Sequence, residues 1–278
     1  MRNPGTSERP DHPLAVVIGA GGIGMAVARR LGSSHRLLLV DQDVPRLDAQ
    51  REALLAEGHD ISIFACDITN ATAVAGLAKS VYGLGALRAL AHVAALSPSM
   101  GDWHRILSVN LIGASLVERM MRPLARQGSA AVFVSSIAAH AIEPPARTVA
   151  LLDEPLAPDL FATLDAVVGD EASPQLAYRL SKFAINRMCR RHAALWGRQG
   201  ARIVSVSPGL IATPMGAREF QGSEGKMALY ETIPLAREGT MLEIAEAVDF
   251  LASDRASFIS GTDLLVDGGL SAAMQFGG

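Results

Sequence analysis

The sequence has few cysteines, no marked excess of either charge and no long apolar run. Two cysteines, Cys66 and Cys189, are too few for a disulfide framework, so a reduced, cytosolic compartment is expected. Lys plus Arg number 25 and Asp plus Glu 28. A net charge of −3 offers nucleic acid no attractive field, and no basic block suggests an anionic membrane surface. No apolar stretch reaches the roughly eighteen residues of a membrane span. The seven histidines show no paired ligand spacing, which argues against a metal site. Residues 134–138 read Val-Ser-Ser-Ile-Ala, without the flanking glycines of a serine-hydrolase elbow. Repeats and low-complexity tracts are missing too. The segment Met1–Pro13 is polar, lacks the apolar core of a signal peptide, and reads as a flexible tail.

What is present is a core. At 278 residues and 49% hydrophobic content, the chain can build one large domain, expected over 14–278. Apolar runs predict strands at Leu14–Ile18, Arg36–Asp41, Asp60–Cys66, Leu87–Ala94, Ala130–Ser135, Arg202–Ser207 and Asp263–Val266. Continuous Val/Ile/Leu/Ala runs belong to strands buried on both faces, hence to a parallel sheet covered by helices. Helical periodicity fills the gaps, as in Ile23, Ala26, Val27 and Leu31 or Ile244, Ala245, Val248 and Leu251. The alternation implies βαβ units in a doubly wound α/β fold. Glu143–Ala172 breaks the rhythm with four prolines and seven acids against one Arg147. It reads as a surface insertion with room for a short helix.

After the first strand stands Gly19-Ala20-Gly21-Gly22-Ile23-Gly24, a G-x-G-x-x-G that opens a helix. Glycines allow a tight turn and close approach of a pyrophosphate to the free N–H groups of the helix start. Asp41 ends strand two, 17 positions past Gly24. A carboxylate there accepts from the ribose hydroxyls of NAD and repels the extra phosphate of NADP, so NAD is expected. Arg46 is the nearby cation that would favour NADP. Asp67 and Ile68 follow strand three. Asp67 either meets the adenine amino group or belongs to the capping chemistry of Thr69 and Asn70.

Tyr178 and Lys182 are four apart in a helical segment and share a face. A close ammonium favours the phenolate and makes the phenol an acid/base at neutral pH; a plain exposed i,i+4 pair is the alternative. Ser136 follows a strand's carboxyl end, where a hydroxyl can donate to a carbonyl oxygen or simply shape the turn. Asn110 sits on the stripe Ile106, Asn110, Ala114, Val117, Met121. It either ties down the helix or orders water near the lysine.

The glycine turn, Asp67, Asn110, Ser136, Tyr178-x-x-x-Lys182, Ser207-Pro208-Gly209 with Thr213, and Val266-Asp267-Gly268-Gly269 stand in the order seen in the short-chain dehydrogenase/reductase family. From about Leu14 to Leu270 the chain resembles that family. The resemblance implies a single-domain Rossmann fold, with a seven-stranded parallel sheet and helices on both faces. It implies Tyr178 as acid/base and Lys182 as the group that lowers the tyrosine's pKa and holds the nicotinamide ribose. Ser136 would bind the substrate oxygen, and Asn110 would hold a relay water. Cofactor contacts would come from Gly19, Gly21, Gly22, Ile23, Gly24, Asp41, Asp67, Ile68, Ala94, Pro208, Gly209, Ile211 and Thr213. Pro214–Leu235 would be a substrate lid, with glycine hinges (Gly216, Gly222, Gly225) and an apolar lining of Met215, Phe220, Met227 and Tyr230.

Three departures stand out. The family's Thr-Gly at the glycine turn is Val17-Ile18 here. Its Asn-Asn-Ala-Gly reads His92-Val93-Ala94-Ala95, where His92 fits best as a satisfied histidine that stabilises the sheet. Ser136 and Tyr178 are 42 positions apart, wider than usual. A similar insertion marks the bacterial 3α-hydroxysteroid dehydrogenase/carbonyl reductase branch, which Leu176–Gly200 also resembles, and there it covers the usual helix-pairing surface. The implied activity is NAD-dependent hydride transfer on a hydrophobic secondary alcohol or ketone, steroid-like or alicyclic. The alternatives are an NADPH-dependent carbonyl reductase and a non-catalytic NAD(H)-binding or scaffold protein. A homodimer or homotetramer is the expected assembly. The apolar ending Leu270–Phe276 suits either a partner or its own subunit.

Overall fold

The computed structural model describes residues 13–213 and 224–276. Seven strands form one parallel sheet: β1 (Leu14–Ile18), β2 (Arg36–Asp41), β3 (Ile61–Ala65), β4 (Leu87–His92), β5 (Ala130–Val134), β6 (Arg202–Pro208) and β9 (Asp263–Val266). Their order is β3-β2-β1-β4-β5-β6-β9, and every neighbouring pair runs parallel. Two short strands, β7 (Ile211–Ala212) and β8 (Gly239–Thr240), pair apart from this sheet. All seven predicted strands are present, with ends moved by one or two residues. The chain is a single Rossmann-like domain.

Helices cover both faces. On one side α1 (Gly22–Gly32), α2 (Val44–Ala56) and α10 (Met241–Ala252) bury Val27, Leu31, Leu47, Leu54, Ile244 and Val248 against Val17, Leu39 and Val132. On the other side lie α3 (Ala71–Leu84), α5 (Ala114–Met121) and α8 (Pro174–Gly197). They bury Val74, Leu77, Val117, Ile185 and Trp196 against Val16, Leu38 and Phe133. Successive strand residues alternate between the two cores, which is why each strand is apolar throughout. The strand order reverses between β1 and β4, and the crevice at their carboxyl ends is where such sheets bind ligands.

The insertion holds two helices, α6 (Ala146–Leu152) and α7 (Leu160–Val168), where one short helix was expected. Leu152 and Leu164 pack with Trp103, Ile106 and Leu107 of α4 (Trp103–Leu107) and with Leu180 and Ala184 of α8. The acid excess has local partners. Asp153 takes a bidentate contact from Arg187 at 2.9 and 2.7 Å, and Arg191 bonds the Asp153 carbonyl and Glu154. Asp165 accepts from the Trp103 indole and bonds His104, both at 2.8 Å. The exposed Arg191–Glu154 and His104–Asp165 pairs contribute little each, while the part-buried bidentate Arg187–Asp153 pair supports the apolar contact that anchors the insertion.

Of the expected lid, residues 214–223 lie outside the described residues, and with them Gly216, Gly222, Met215 and Phe220. The rest contains α9 (Glu224–Thr232). Gly225 falls inside this helix, so it is not the free hinge the sequence suggested. Met227 is half exposed. In the final helix, α11 (Leu270–Phe276), Leu270 is buried while Met274 and Phe276 face outward.

Leu164 is fully buried at the seam between insertion and domain. Leu164→Ala should destabilise the fold by about 2–5 kcal/mol, read by urea denaturation. Nucleotide affinity should stay unchanged in native buffer, because the seam lies apart from the glycine turn.

Candidate active site

The nucleotide end is built by steric fit. Gly19 holds φ +106°, and its N–H donates to the Val40 carbonyl at 2.7 Å. A Cβ on Gly19 would stand 2.7 Å from the Ala94 nitrogen, and one on Gly24 1.8 Å from the Gly19 oxygen. These two glycines let the β1 turn, the β4 turn and α1 touch. Gly21 differs: nothing lies within 4 Å of where its Cβ would be. It caps α1 without any side-chain hydrogen bond, so the helix start at Gly22 and Ile23 is not crowded by protein atoms at Gly21. That is the cradle a dinucleotide phosphate requires, and the residues present fit a nicotinamide dinucleotide.

Asp41 ends β2 with its side chain 13% exposed. One oxygen accepts from the Ala20 N–H at 2.8 Å, the other from the Asp43 N–H at 3.1 Å. The carboxylate therefore braces the glycine turn and still has lone pairs for a ribose. Arg46 lies 3.2 Å from Asp43 and 4.0 Å from Asp41, so two carboxylates already answer its charge. At the next strand, Asp67 accepts from the Thr69 N–H and hydroxyl at 2.9 and 2.7 Å. Asn70 alone caps α3, accepting from Thr72 and Ala73. Asp67 thus clasps its own turn and stays exposed. The Ile68 side chain is buried in the core against Gly113, so its backbone is the part turned to the crevice.

Pro208, Gly209 and Ile211 follow β6. A Cβ on Gly209 would fall 2.7 Å from Asp267 Cα, so this glycine serves packing. Asp267 in turn accepts from the Gly269 and Ser271 N–H groups, which fastens the start of α11. Ile211 is nearly buried, in the core with α1 and α10. Thr213 is the last described residue before the lid.

The chemical end gathers at the ends of β4 and β5. Lys182 is 2% exposed, and its Nζ donates to the Val134 carbonyl at 2.9 Å. Ser135 next to it donates to the Lys182 carbonyl at 2.9 Å. The ammonium stands 5.7 Å from the centre of the half-buried Tyr178 ring. So phenol and ammonium do share a face, and the pair is not an exposed surface pair. Burial pushes the Lys182 ammonium from 10.5 down to about 7. Ser136 is nearly buried; its Oγ accepts from the Ala138 N–H at 3.2 Å, which leaves the hydroxyl proton to donate.

Asn110 takes the first of its two expected roles. Its side chain is fully buried and pairs with Leu96 twice, accepting from the N–H at 2.8 Å and donating to the carbonyl at 2.9 Å. The side chain thus ties the helix to the β4 loop. It does so from a π turn, Ser108–Gly113, between α4 and α5. Such wide turns often mark functional sites, and no sequence period signals this one. His92 corrects an expectation. It stacks on Phe133, with ring centres 5.2 Å apart, yet its buried Nε2 has no hydrogen-bond partner among the described residues. It is not the satisfied histidine expected.

Known proteins resemble this chain in sequence and fold. The short chain dehydrogenase pattern matches residues 13–147, and that of enoyl-(acyl carrier protein) reductase matches 162–271. A short-chain dehydrogenase/reductase of Alternaria brassicicola, bsc3, is 34% identical, covering 94% of this chain and 96% of that protein. The chain belongs to the short-chain dehydrogenase/reductase family. The D-threitol dehydrogenase of Mycolicibacterium smegmatis is 33% identical over 94% of each chain. The 3-alpha-hydroxysteroid dehydrogenase/carbonyl reductase of Comamonas testosteroni is 30% identical, covering 82% of this chain and 93% of that one. The crystal structure of gox2181 superposes with a TM-score of 0.76 at 26% identity, over 95% and 97% of the two chains. As a member of this family, the protein is a dehydrogenase/reductase of CH–OH groups that uses a nicotinamide cofactor. Among the described residues, no helix is long and apolar enough to cross a membrane.

Two predictions follow from this geometry. Gly21→Ala should fold with unchanged or slightly raised stability, since its φ is −79° and the space is open, but bind nucleotide at least about tenfold more weakly. Gly24→Ala should lose stability as well; calorimetry and fluorescence titration separate the two. For Lys182, the unfolded chain holds its proton up to about 10.5 and the folded chain only up to about 7. Between those values the unfolded state binds more protons, so this group's contribution to stability rises with pH across the window. Lys182→Met should raise Tm at pH 7 by a few degrees and flatten that rise, while abolishing turnover.

Proposed function

We propose that the protein is an NAD-dependent oxidoreductase of hydrophobic secondary alcohols or ketones, with Tyr178 as acid/base. The observation that carries this reading is the Lys182 ammonium, held dry by Val134 beside the Tyr178 ring. A nicotinamide cofactor supplies or accepts the hydride when bound. The rest is the work of the chain's own groups. Ser136 donates its hydroxyl proton toward the substrate oxygen. In alcohol oxidation the Tyr178 phenolate takes the substrate's hydroxyl proton, and in ketone reduction the phenol returns it. Lys182 as ammonium stabilises the phenolate and holds the ribose. Asn110 fixes the β4 loop, so that Ala94 and Gly19 keep their contact. Asp67, the Ile68 backbone, Pro208, Gly209, Ile211 and Thr213 would flank the cofactor.

NAD is favoured over NADP because the charge at the end of β2 is acidic and Arg46 is spent on Asp43 and Asp41. A hydrophobic substrate is favoured because Tyr178 shares its surroundings with Leu96, Ile142 and Leu176. A self-associating protein is favoured too. β9 is a sheet edge, and Leu264, Leu265, Met274 and Phe276 around it are exposed. The insertion, meanwhile, covers α4 and the neighbouring face of α8.

Titration with NADH and NADPH separately, by nicotinamide fluorescence, tests the cofactor. Wild type should bind NADH at least about tenfold more tightly. Asp41→Asn keeps an acceptor for Ala20 but loses the charge, and should narrow that gap. Tyr178→Phe should cut turnover of a cyclic secondary alcohol by about 10²–10⁴-fold while leaving NADH affinity nearly unchanged. Preferred binding of NADPH would sink the cofactor assignment, and an active Tyr178→Phe would sink the acid/base role.

A further inference from the structure

One buried titratable group in the floor of the site has no part in the reaction above. His92 closes β4, is 1% exposed, and stacks on Phe133 with the rings inclined by 18°. In the Nδ1-protonated form of the neutral imidazole, Nε2 carries a lone pair. That Nε2 has no partner among the described residues. Lys182 approaches the same place, for its ammonium bonds the carbonyl of Val134, the residue after Phe133. Burial first, and then the Lys182 charge, push the His92 imidazole down to about 3, so it stays neutral at working pH.

The remaining polar neighbours are few. Tyr178 faces Lys182 from the same helix. Asn110 on the π turn is uncharged and bound to Leu96. His140, on the turn after β5, bonds Asp263 at 2.7 Å. No carboxylate lies within salt-bridge distance of Lys182 among the described residues. The ammonium has one carbonyl to bond and two further protons.

We propose that His92 is a positioning residue: its unpartnered Nε2 lone pair helps to keep the proton on Lys182, and through it holds Tyr178 in its reactive state. This rests on the acid/base reading of Tyr178 and Lys182. An ammonium in a dry site readily loses its proton, and an acceptor dipole near it resists that loss. The effect passes through Lys182 alone, with no contact between His92 and substrate.

The chain has three lysines, Lys79, Lys182 and Lys226, so lysine-labelled protein gives three side-chain NMR signals to titrate. His92→Phe keeps the stacking and removes the lone pair. It should lower the Lys182 titration point by about half a pH unit or more, and move the acid limb of kcat/KM for alcohol oxidation upward. His92→Gln, whose amide reaches the place of Nε2, should restore both. His92→Asn, which reaches only the place of Nδ1, should behave like the phenylalanine variant and carries the comparison if that variant fails to fold. Unchanged Tm and NADH affinity exclude a purely structural effect. A Lys182 titration equal to wild type in both His92→Phe and His92→Asn would overturn the proposal, as would an equal shift in all three variants. The titration is read without turnover. An active Tyr178→Phe with the lysine shift intact therefore overturns the acid/base reading and the link to Tyr178, not the pairing of His92 with Lys182.

Discussion

The site depends on one reciprocal pair of hydrogen bonds between a strand end and a helix. The Lys182 ammonium donates to Val134, and Ser135 donates to the Lys182 backbone. Together they fix both the height and the rotation of α8 over β5. A helix advances about 1.5 Å and turns about 100° per residue, so a slip of one position would swing Tyr178 out of the crevice. The ammonium has no salt-bridge partner among the described residues, and its burial works against stability. Hydrophobic contact of Ile185, Met188 and Trp196 with the sheet offsets that cost. The fold thus spends part of its core stability on holding one charge where water would ordinarily claim it.

Much of this was legible in the sequence because it is local. The strands are continuous apolar runs, and the sheet demands that pattern on both faces. The glycine turn is legible because Gly19 and Gly24 answer steric needs within a few residues of themselves. Other features were not. Nothing near Asn110 announces a π turn or a partner at Leu96, fourteen residues earlier. Asp67 and Asn70 both look like caps, and only the backbone geometry divides the labour between them. The Ile68 side chain is core, because Gly113 comes close from a distant turn. The contacts of Asn110 and Ile68 thus involve partners far from them along the chain.

The insertion shows the same division. Prolines and acids identified it as an excursion, but the two helices and their seat could not be read from composition. Its acids answer Arg187, Arg191 and His104 on the helices that it covers. Three of its seven acids, Asp153, Glu154 and Asp165, thus take part in a complementary contact. The helix face without the insertion would show Trp103, Leu107 and Leu180 to water. A segment that seems appended is therefore part of the core's closure.

Asp41 has a consequence for how this protein can change. The same carboxylate that braces Ala20 in the glycine turn is the one proposed above to face the cofactor's ribose. A lineage drifting toward a phosphorylated cofactor therefore has a narrow choice at this position. Asparagine would remove the charge and keep an acceptor for Ala20. A residue without a side-chain acceptor would loosen the turn on which either cofactor sits, and another acceptor for Ala20 would have to arise with it.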